Sequence, residues 1–300
     1  MFRRKYHNLN VIEISSQQLV DNYKNLQKKY GTQIAPVLKS NAYGHGITLI
    51  AKILDDKNCP FFCVDSLFEA YQLQKAGIKT KILVMGYIHP DSLKTKKLPF
   101  SFAVSTLQTL RTLQTFQSQA PIHLFVDTGM HREGFLLKDL PNIENVEGLM
   151  THLATYKNQM QLNNFKKVQE KISAKYVHPG NVWRVGLELY KDVLTFKATI
   201  AQIKELQKGD KVGYDFTFTT PKKMKIGIVS AGYNDGVDRK LSNISPFVGR
   251  VSMNMCAVDM SKFPGKKEGD QIVLPIKNEI LFPYETLIHL NPLTKRVESC

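Results

Sequence analysis

Pro36-Val37-Leu38-Lys39-Ser40-Asn41-Ala42-Tyr43-Gly44-His45-Gly46 overlaps a short apolar run, Ile34 to Leu38, of a length that suits a buried strand. A lysine ends the run, a small polar turn with two glycines comes next, and an amphipathic segment, Ile47–Leu54, follows. The order is strand, loop, helix, with a lysine at the carboxyl end of the strand, the end that carries the chemistry in α/β folds. A lysine placed there loses its proton when desolvated and can attack a carbonyl to form a Schiff base. Tyr43 and the loop amides are suited to hold an anion such as a phosphate. On chemistry alone the competing reading is a surface lysine that ends a strand.

Outward from this stretch the chain alternates. Asn10 to Ser15 reads as a strand, and Ser15 or Ser16 then caps a helix. Its apolar positions Leu19, Tyr23, Leu26 and Tyr30 follow helical spacing, and Gly31 stops it. Further strands are expected at Gln33–Lys39, Phe61–Ser66, Lys81–Gly86, Phe100–Ser105, Ile122–Asp127 and Val146–His152, with weaker ones at Tyr176–His178 and Trp183–Val185. Helical patterns such as Leu67–Ala76, Thr106–Gln117 and Gln159–Lys175 lie between most of them. Eight alternating βα units in about 180 residues point to a TIM-like (β/α)8 barrel, with a doubly wound open sheet as the alternative on pattern alone.

After Tyr190 the pattern changes. Leu194 to Leu206 reads as strand, Lys208-Gly209-Asp210 as a turn. Lys211–Thr219, Lys225–Ala231, Phe247–Val258 and Gln271–Ile276 are β-rich runs broken by Gly, Pro, Asn and Asp. The expected organisation is a barrel over residues 9–191 and a C-terminal all-β domain over 192–300, with the strand near residues 9–15 a candidate to pair with the latter.

Composition sets the bounds. A chain of 300 residues with 43% hydrophobic and 22% charged residues is an ordinary globular protein able to bury a sizeable core. No apolar run approaches a membrane span, and no apolar signal region follows the basic start MFRRKYHNLN. Cys59, Cys63, Cys256 and Cys300 lack zinc-ligand spacing with histidines, and their low density fits a reducing cytoplasm; no metal is expected. The net charge of +15 is compatible with an acidic partner or nucleic acid. The lysines are scattered through helical segments without a base-reading module, so a solvated surface, with no nucleic-acid partner, is the better reading.

The run LKSNAYGHG, Leu38 to Gly46, resembles the cofactor-lysine motif of the alanine racemases, which bind pyridoxal 5′-phosphate (PLP) on that lysine. Other segments resemble the same family, in the same order, over roughly residues 9–300. Asp127-Thr128-Gly129-Met130-His131-Arg132-Glu133-Gly134-Phe135 reads alone as a surface turn with a solvated arginine. It is similar to the family's DTGM-x-R-x-GF, which makes Arg132 the partner of the substrate carboxylate. Met150-Thr151-His152-Leu153-Ala154 resembles T-H-F/L-A, which implies that His152 lies against the cofactor ring. Trp183-Arg184-Val185-Gly186-Leu187-Glu188-Leu189-Tyr190 resembles R-P-G-I-x-L-Y, with valine for proline. Arg184 would then face the pyridine nitrogen, and the amides of Gly186 and Leu187 the phosphate.

Tyr214 would by itself be a packed strand tyrosine. The resemblance makes it the second catalytic base, supplied across a homodimer interface and made basic by a chain from Arg184 through His152. Gly232-Tyr233-Asn234-Asp235-Gly236 and Gly249-Arg250-Val251-Ser252-Met253-Asn254-Met255 resemble G-Y-A-D-G and G-R-I-C/S-M-D. They imply that Tyr233 lines the approach of the substrate and that the Met253 amide meets its carboxylate. Three departures stand out. Phe125 replaces a lysine that many members carry as a carbamate beside the arginine, Asn254 replaces aspartate, and the short His178-Pro179-Gly180-Asn181-Val182 lacks the phosphate-binding serine of an Asn-Ser-Ala run.

The resemblance therefore implies a PLP-dependent cytoplasmic homodimer that interconverts L- and D-alanine, with Lys39 and Tyr214 as bases on opposite faces of the α-carbon and D-alanine supplied to peptidoglycan. A broader amino-acid racemase and a weakly active PLP-holding protein are the alternatives. Many members crowd the pocket with a tyrosine in a run such as Y-R-V-P-R near the C-terminus, where Asn291-Pro292-Leu293-Thr294-Lys295-Arg296 here places Pro292. Serine is then expected to be racemised about ten to a few hundred times less efficiently than alanine, the reach of roughly 1–3 kcal/mol of pocket discrimination. Pro292→Tyr should sharpen the preference, read as the serine-to-alanine ratio of kcat/KM; an unchanged ratio removes Pro292 from specificity.

Overall fold

The computed structural model describes residues 7–95, 97–143, 145–276 and 287–299; Cys300 and the basic residues 1–6 lie outside them. The chain forms two compact units. One comprises Val20–Ala42 and Ile47–Leu189; the other comprises Met1–Leu19, Tyr43–Gly46 and Tyr190–Cys300. Strand β1 (Asn10–Ser15) belongs to the second unit and leads into the helix Ser16–Tyr30.

The first unit is built on parallel strands: β2 (Gln33–Pro36), β3 (Phe62–Val64), β4 (Ile82–Val84), β5 (Ser101–Val104), β6 (Ile122–Asp127), the short β7 (Phe135–Leu136), β8 (Asn145–Met150), β9 (Ser173–His178) and β10 (Val182–Val185). The ladder runs β3-β4-β5-β6-β8-β9, with β7 added on β6. Strand β10 pairs in parallel with β2, which joins β3 through the Val37–Cys63 bridge. The succession returns on itself, which selects the TIM-like barrel over the open sheet. Phe62-Cys63-Val64 and Ile82-Leu83-Val84 are buried throughout because helices cover one face and the barrel interior the other. The helices Leu67–Lys75, Leu107–Phe116 and Gln159–Gln169 begin at Ser66, Thr106 and Asn158, whose side chains accept from the first-turn amides. Each cap contributes about 1 kcal/mol.

Two expectations change here. The helix expected over Gln159–Lys175 ends at Gln169, and Ser173 already starts β9. Between β9 and β10 there is no crossover helix, only Pro179, Gly180 and Asn181. The Asn181 amide takes the place of a neighbouring peptide on β9: its Oδ1 accepts from Val177 N and its Nδ2 donates to Lys175 O, both at 2.8 Å. Next in the chain, Trp183 stacks on Tyr30, with centroids 4.7 Å apart, and Tyr156 packs against both rings.

In the second unit β11 (Leu194–Leu206) pairs antiparallel with β1, with β14 (Met224–Val229) and with β16 (Gln271–Val273). Strand β15 (Cys256–Asp259) extends the sheet from β14, and β17 (Lys295–Ser299) lies parallel on β1. Burial alternates along β1 and the first half of β11, the period of a sheet with one covered face. The long run expected at Lys211–Thr219 is instead two short paired strands, β12 (Lys211–Val212) and β13 (Phe218–Thr219). The positive φ of Gly213, Asp215 and Phe216 breaks it. Much of Phe247–Val258 is likewise turn, with Gly249 at φ 76°.

Inside the barrel one glycine is imposed by its neighbour. A Cβ on Gly148 would stand 2.1 Å from Nδ1 of His123, which is itself fully buried. Gly148→Ala should therefore destabilise the protein by about 1–3 kcal/mol, the range for overpacking a filled core. A chemical-denaturation midpoint checks this, and His123→Ala in the same chain should recover part of the loss.

Candidate active site

Leu38 still donates to Cys63 O at 2.7 Å, as a barrel strand should. Beyond Lys39 the chain does not make the simple loop expected. Ser40, Asn41, Ala42 and Tyr43 lie at φ 54°, 55°, 53° and 52°, a left-handed turn that costs about 1–2 kcal/mol per L-residue. Local bonds hold its barrel side. Ala42 N donates to Leu38 O at 2.7 Å, Ile47 N to Asn41 Oδ1 at 2.9 Å and Ser40 N to Glu69 Oε1 at 2.6 Å. Lys39 Nζ stands 3.3 Å from Asp65 Oδ1, at the end of β3. Asp65 and Glu69 escape a reading of the sequence for chemistry; the one available signal is the Ser66-x-x-Glu69 spacing of a helix cap.

The ends of the other strands bring further charged groups to the first unit's site. Arg184, on β10, donates through Nη2 to Thr151 O at 2.6 Å, and its Nη1 lies 3.5 Å from Met85 Sδ. His152 follows β8. Desolvation first, then the positive charges of Arg184, Arg132 and Lys39, lower its pKa to about 4, so the imidazole is neutral near pH 7. Arg132 follows β6 in a turn organised by Asp127, whose Oδ1 accepts from the amides of Gly129, Met130 and His131 at 2.9, 3.0 and 3.1 Å. Burial alone would raise the Asp127 carboxyl; these donors outweigh it and hold it below the usual carboxylate range. The Arg132 guanidinium meets Glu133 at 3.0 Å, while Phe125 is buried at 3% exposure and offers it no charge.

A cavity of about 310 Å3 is lined by His152, His178, Trp183, Arg184, Gly186 and Leu187 among others; Lys39 and Arg132 are not part of its lining. Gly186 and Leu187 begin the 3-10 turn Leu187–Tyr190, where leading amides have no partner within the turn. Beneath it runs a polar column that the sequence did not disclose. Lys81 reaches Glu147 at 2.9 Å, Glu147 faces His123 Nε2 at 3.6 Å, and His123 Nδ1 meets His178 Nε2 at 2.9 Å. The facing His123 imidazole, then the Lys81 ammonium, hold Glu147 down to about 2, while burial keeps both histidines neutral.

Tyr43, Tyr214, Tyr233 and Met253 belong to the second unit. The Tyr43 ring packs 5.3 Å from that of Tyr190. Tyr214 opens a 3-10 turn, Tyr214–Phe216, rather than sitting in a strand, and is 69% exposed. It lines a cavity of about 320 Å3 with Tyr233, Arg239, Arg250, Ser252 and Met253. Tyr233 N donates to Ser252 O at 3.0 Å and Asn234 N to Met253 O at 2.9 Å, which clamps the two segments together. Among the described residues no cluster of His, Cys, Asp or Glu is placed to hold a metal, and no helix is long and apolar enough to cross a membrane.

The depressed His152 pKa gives a signed pH effect. Unfolded chain takes up a proton near 6.5 and folded chain only near 4, so this contribution to stability is present above 6.5 and lost as pH falls toward 4. The open side of the ring screens the effect, so NMR is the better measure. The His152 ring resonance should titrate near 4, and Arg184→Gln should move it upward; an ordinary midpoint in the unsubstituted protein refutes the electrostatic picture.

The chain matches family models twice: "Alanine racemase, N-terminal domain" over residues 14–185 and "Alanine racemase, C-terminal domain" over residues 193–289. It is 31% identical to the alanine racemase of Aquifex aeolicus, over 96% of this chain and 98% of that one. To the alanine racemase of a Coxiella burnetii strain it is 32% identical, over 79% and 82%. Among solved structures, the alanine racemase of Oenococcus oeni superposes with a TM-score of 0.84 at 23% identity, covering 98% of this chain and 99% of that one. The alanine racemase of Bartonella henselae, with covalently bound pyridoxal phosphate, gives 0.80 at 25% identity, covering 98% and 100%. The barrel with its strand-end lysine, the β-rich second unit and these matches over both together place the chain in the alanine racemase family.

Proposed function

We propose that this protein is a PLP-dependent alanine racemase that works by two bases, Lys39 and Tyr214. The observation that carries the reading is the position of Lys39 at the end of the first barrel strand, with Arg184, His152 and Arg132 brought to the same end of the barrel. The residues present fit the cofactor. The cavity beside Arg184 is of ligand size, the amides of Gly186 and Leu187 suit a phosphate, and a guanidinium has only donors to offer a pyridine nitrogen. Bound PLP supplies the electron sink that makes the α-hydrogen of an amino acid acidic.

The chain's own residues do the rest. With PLP bound, Lys39 would hold the cofactor through its amine and would take or return the α-proton on one face. Tyr214 does the same on the other face, through its phenolic oxygen. Arg132 and the Met253 amide bind the substrate carboxylate. The neutral imidazole of His152 fits a link between Arg184 and the tyrosine. Tyr214, Phe216, Tyr233, Met253 and Met255 leave large apolar side chains 42–69% exposed on the second unit, which suits a face covered by another subunit. On this reading the protein is a homodimer with shared sites, acting in the cytoplasm and supplying D-alanine for peptidoglycan.

The three-residue β9–β10 connection favours a second reading, a PLP-holding protein with weak turnover, because it shortens the strand-end loop beside the phosphate amides. Turnover of L-alanine, measured against a panel of amino acids, separates this and a broad-specificity racemase from the main reading.

Borohydride should fix PLP covalently on Lys39; an adduct on any other lysine sinks the assignment. Tyr214→Phe should keep the cofactor yet lower racemisation by about 10²–10⁴-fold, the usual contribution of a positioned acid–base group. Mixing Lys39→Ala with Tyr214→Phe subunits should restore one intact site per mixed dimer. Absence of recovery despite exchange of subunits counts against shared sites.

A further inference from the structure

Ser66-Leu67-Phe68-Glu69 has the spacing of a reciprocal helix cap, in which the serine side chain takes the glutamate N–H and the glutamate side chain returns to the serine N–H. Only the first half forms: Ser66 Oγ accepts from Glu69 N at 3.3 Å. The Glu69 carboxylate goes elsewhere. Its Oε2 accepts from Asp65 N at 2.8 Å and its Oε1 from Ser40 N at 2.6 Å. One half-buried carboxylate therefore ties the end of β3 to the residue that follows Lys39.

That tie falls where the backbone most needs one. Ser40 is the first of four consecutive L-residues with φ between 52° and 55°, a conformation that such residues leave unless their surroundings hold them. The bond to Ser40 N is short and charge-assisted, the stronger class of hydrogen bond. Through its second oxygen the same carboxylate fixes the backbone of Asp65, whose side chain faces Lys39 Nζ at 3.3 Å.

We propose that Glu69 is a positioning residue for Lys39. By holding the Ser40 and Asp65 amides it keeps the left-handed turn wound and sets the direction in which the lysine amine leaves the strand end. The inference rests on Lys39 being the reactive amine of the proposed function. The competing role is that of a helix cap alone, which would move stability and leave the lysine's reactivity unchanged.

The experiment compares Glu69→Ala, Glu69→Gln and Ser66→Ala with the unsubstituted full chain, each stripped of bound cofactor with hydroxylamine. Free pyridoxal is offered under cyanoborohydride, and the rate of adduct formation at Lys39 is followed by peptide mass. Thermal unfolding of the same samples reports the cap. Ser66→Ala should lower the melting temperature without slowing labelling of Lys39. Glu69→Ala should slow it by about tenfold or more, the factor that loss of a hydrogen bond to a charged group gives. Glu69→Gln, whose amide oxygen can serve one N–H but not both, should fall between.

Reloaded with PLP, Glu69→Ala should also bias α-hydrogen exchange in D2O toward one enantiomer of alanine, opposite in sense to the bias of Tyr214→Phe. Labelling of Lys39 at the unsubstituted rate in folded Glu69→Ala, with unbiased exchange, overturns the inference and leaves the function standing. An adduct confined to another lysine in the unsubstituted protein overturns both.

Discussion

From Ser40 to Tyr43 the backbone stays in the left-handed region, without a glycine to ease it. The chain accepts this because Leu38 must finish its parallel pairing with Cys63 before the next residue turns away from the barrel. A right-handed turn from Ser40 onward would send the following segment elsewhere. The left-handed turn contains Asn41, whose side chain starts the helix Ile47–Leu54 by accepting from Ile47 N. Much of the site therefore depends on a conformation that is costly by itself and held by a few hydrogen bonds to groups fixed in the barrel.

The barrel tolerates two departures from the simplest architecture, and both bear on the site. The β9–β10 connection has lost its helix, and the Asn181 side chain serves β9 where a strand would otherwise lie. The interior is not wholly apolar, since Glu147, His123 and His178 stack beneath the cavity. Burial makes protonation of either imidazole unfavourable, so the column presents the site with neutral rings and keeps the negative charge of Glu147 at the far end, against Lys81. The Arg184 guanidinium donates to the Thr151 carbonyl and lies against the Met85 sulfur.

The second unit shows how the same residue types behave when packing rather than pairing sets their place. Tyr214 and Met253 lie on turns interrupted by Gly213, Asp215 and Gly249, and the clamp between the two segments is made by main-chain bonds from Tyr233 and Asn234. Turns of this kind leave large side chains pointing outward, which a continuous strand packed on one face would not allow.

The sequence by itself determined the alternation of short buried strands with capped helices, hence the barrel, and the change to β-rich runs after Tyr190. Both follow from local periodicity and from turn residues, which act over a few positions. It also singled out Lys39, Arg132, His152 and Arg184 as candidates, because their flanking motifs are local and long enough to recognise. Other features were settled by tertiary structure alone. The helix expected through Lys175 stops at Gln169 because Ser173 is drawn into pairing with Asn145, and strand pairing between distant segments overrides local propensity. The diversion of the Glu69 carboxylate from its own helix to Ser40, and the meeting of His123 with His178, depend on residues 29 and 55 positions apart. A one-dimensional pattern carries no record of such contacts, since they exist only once the barrel has closed around them.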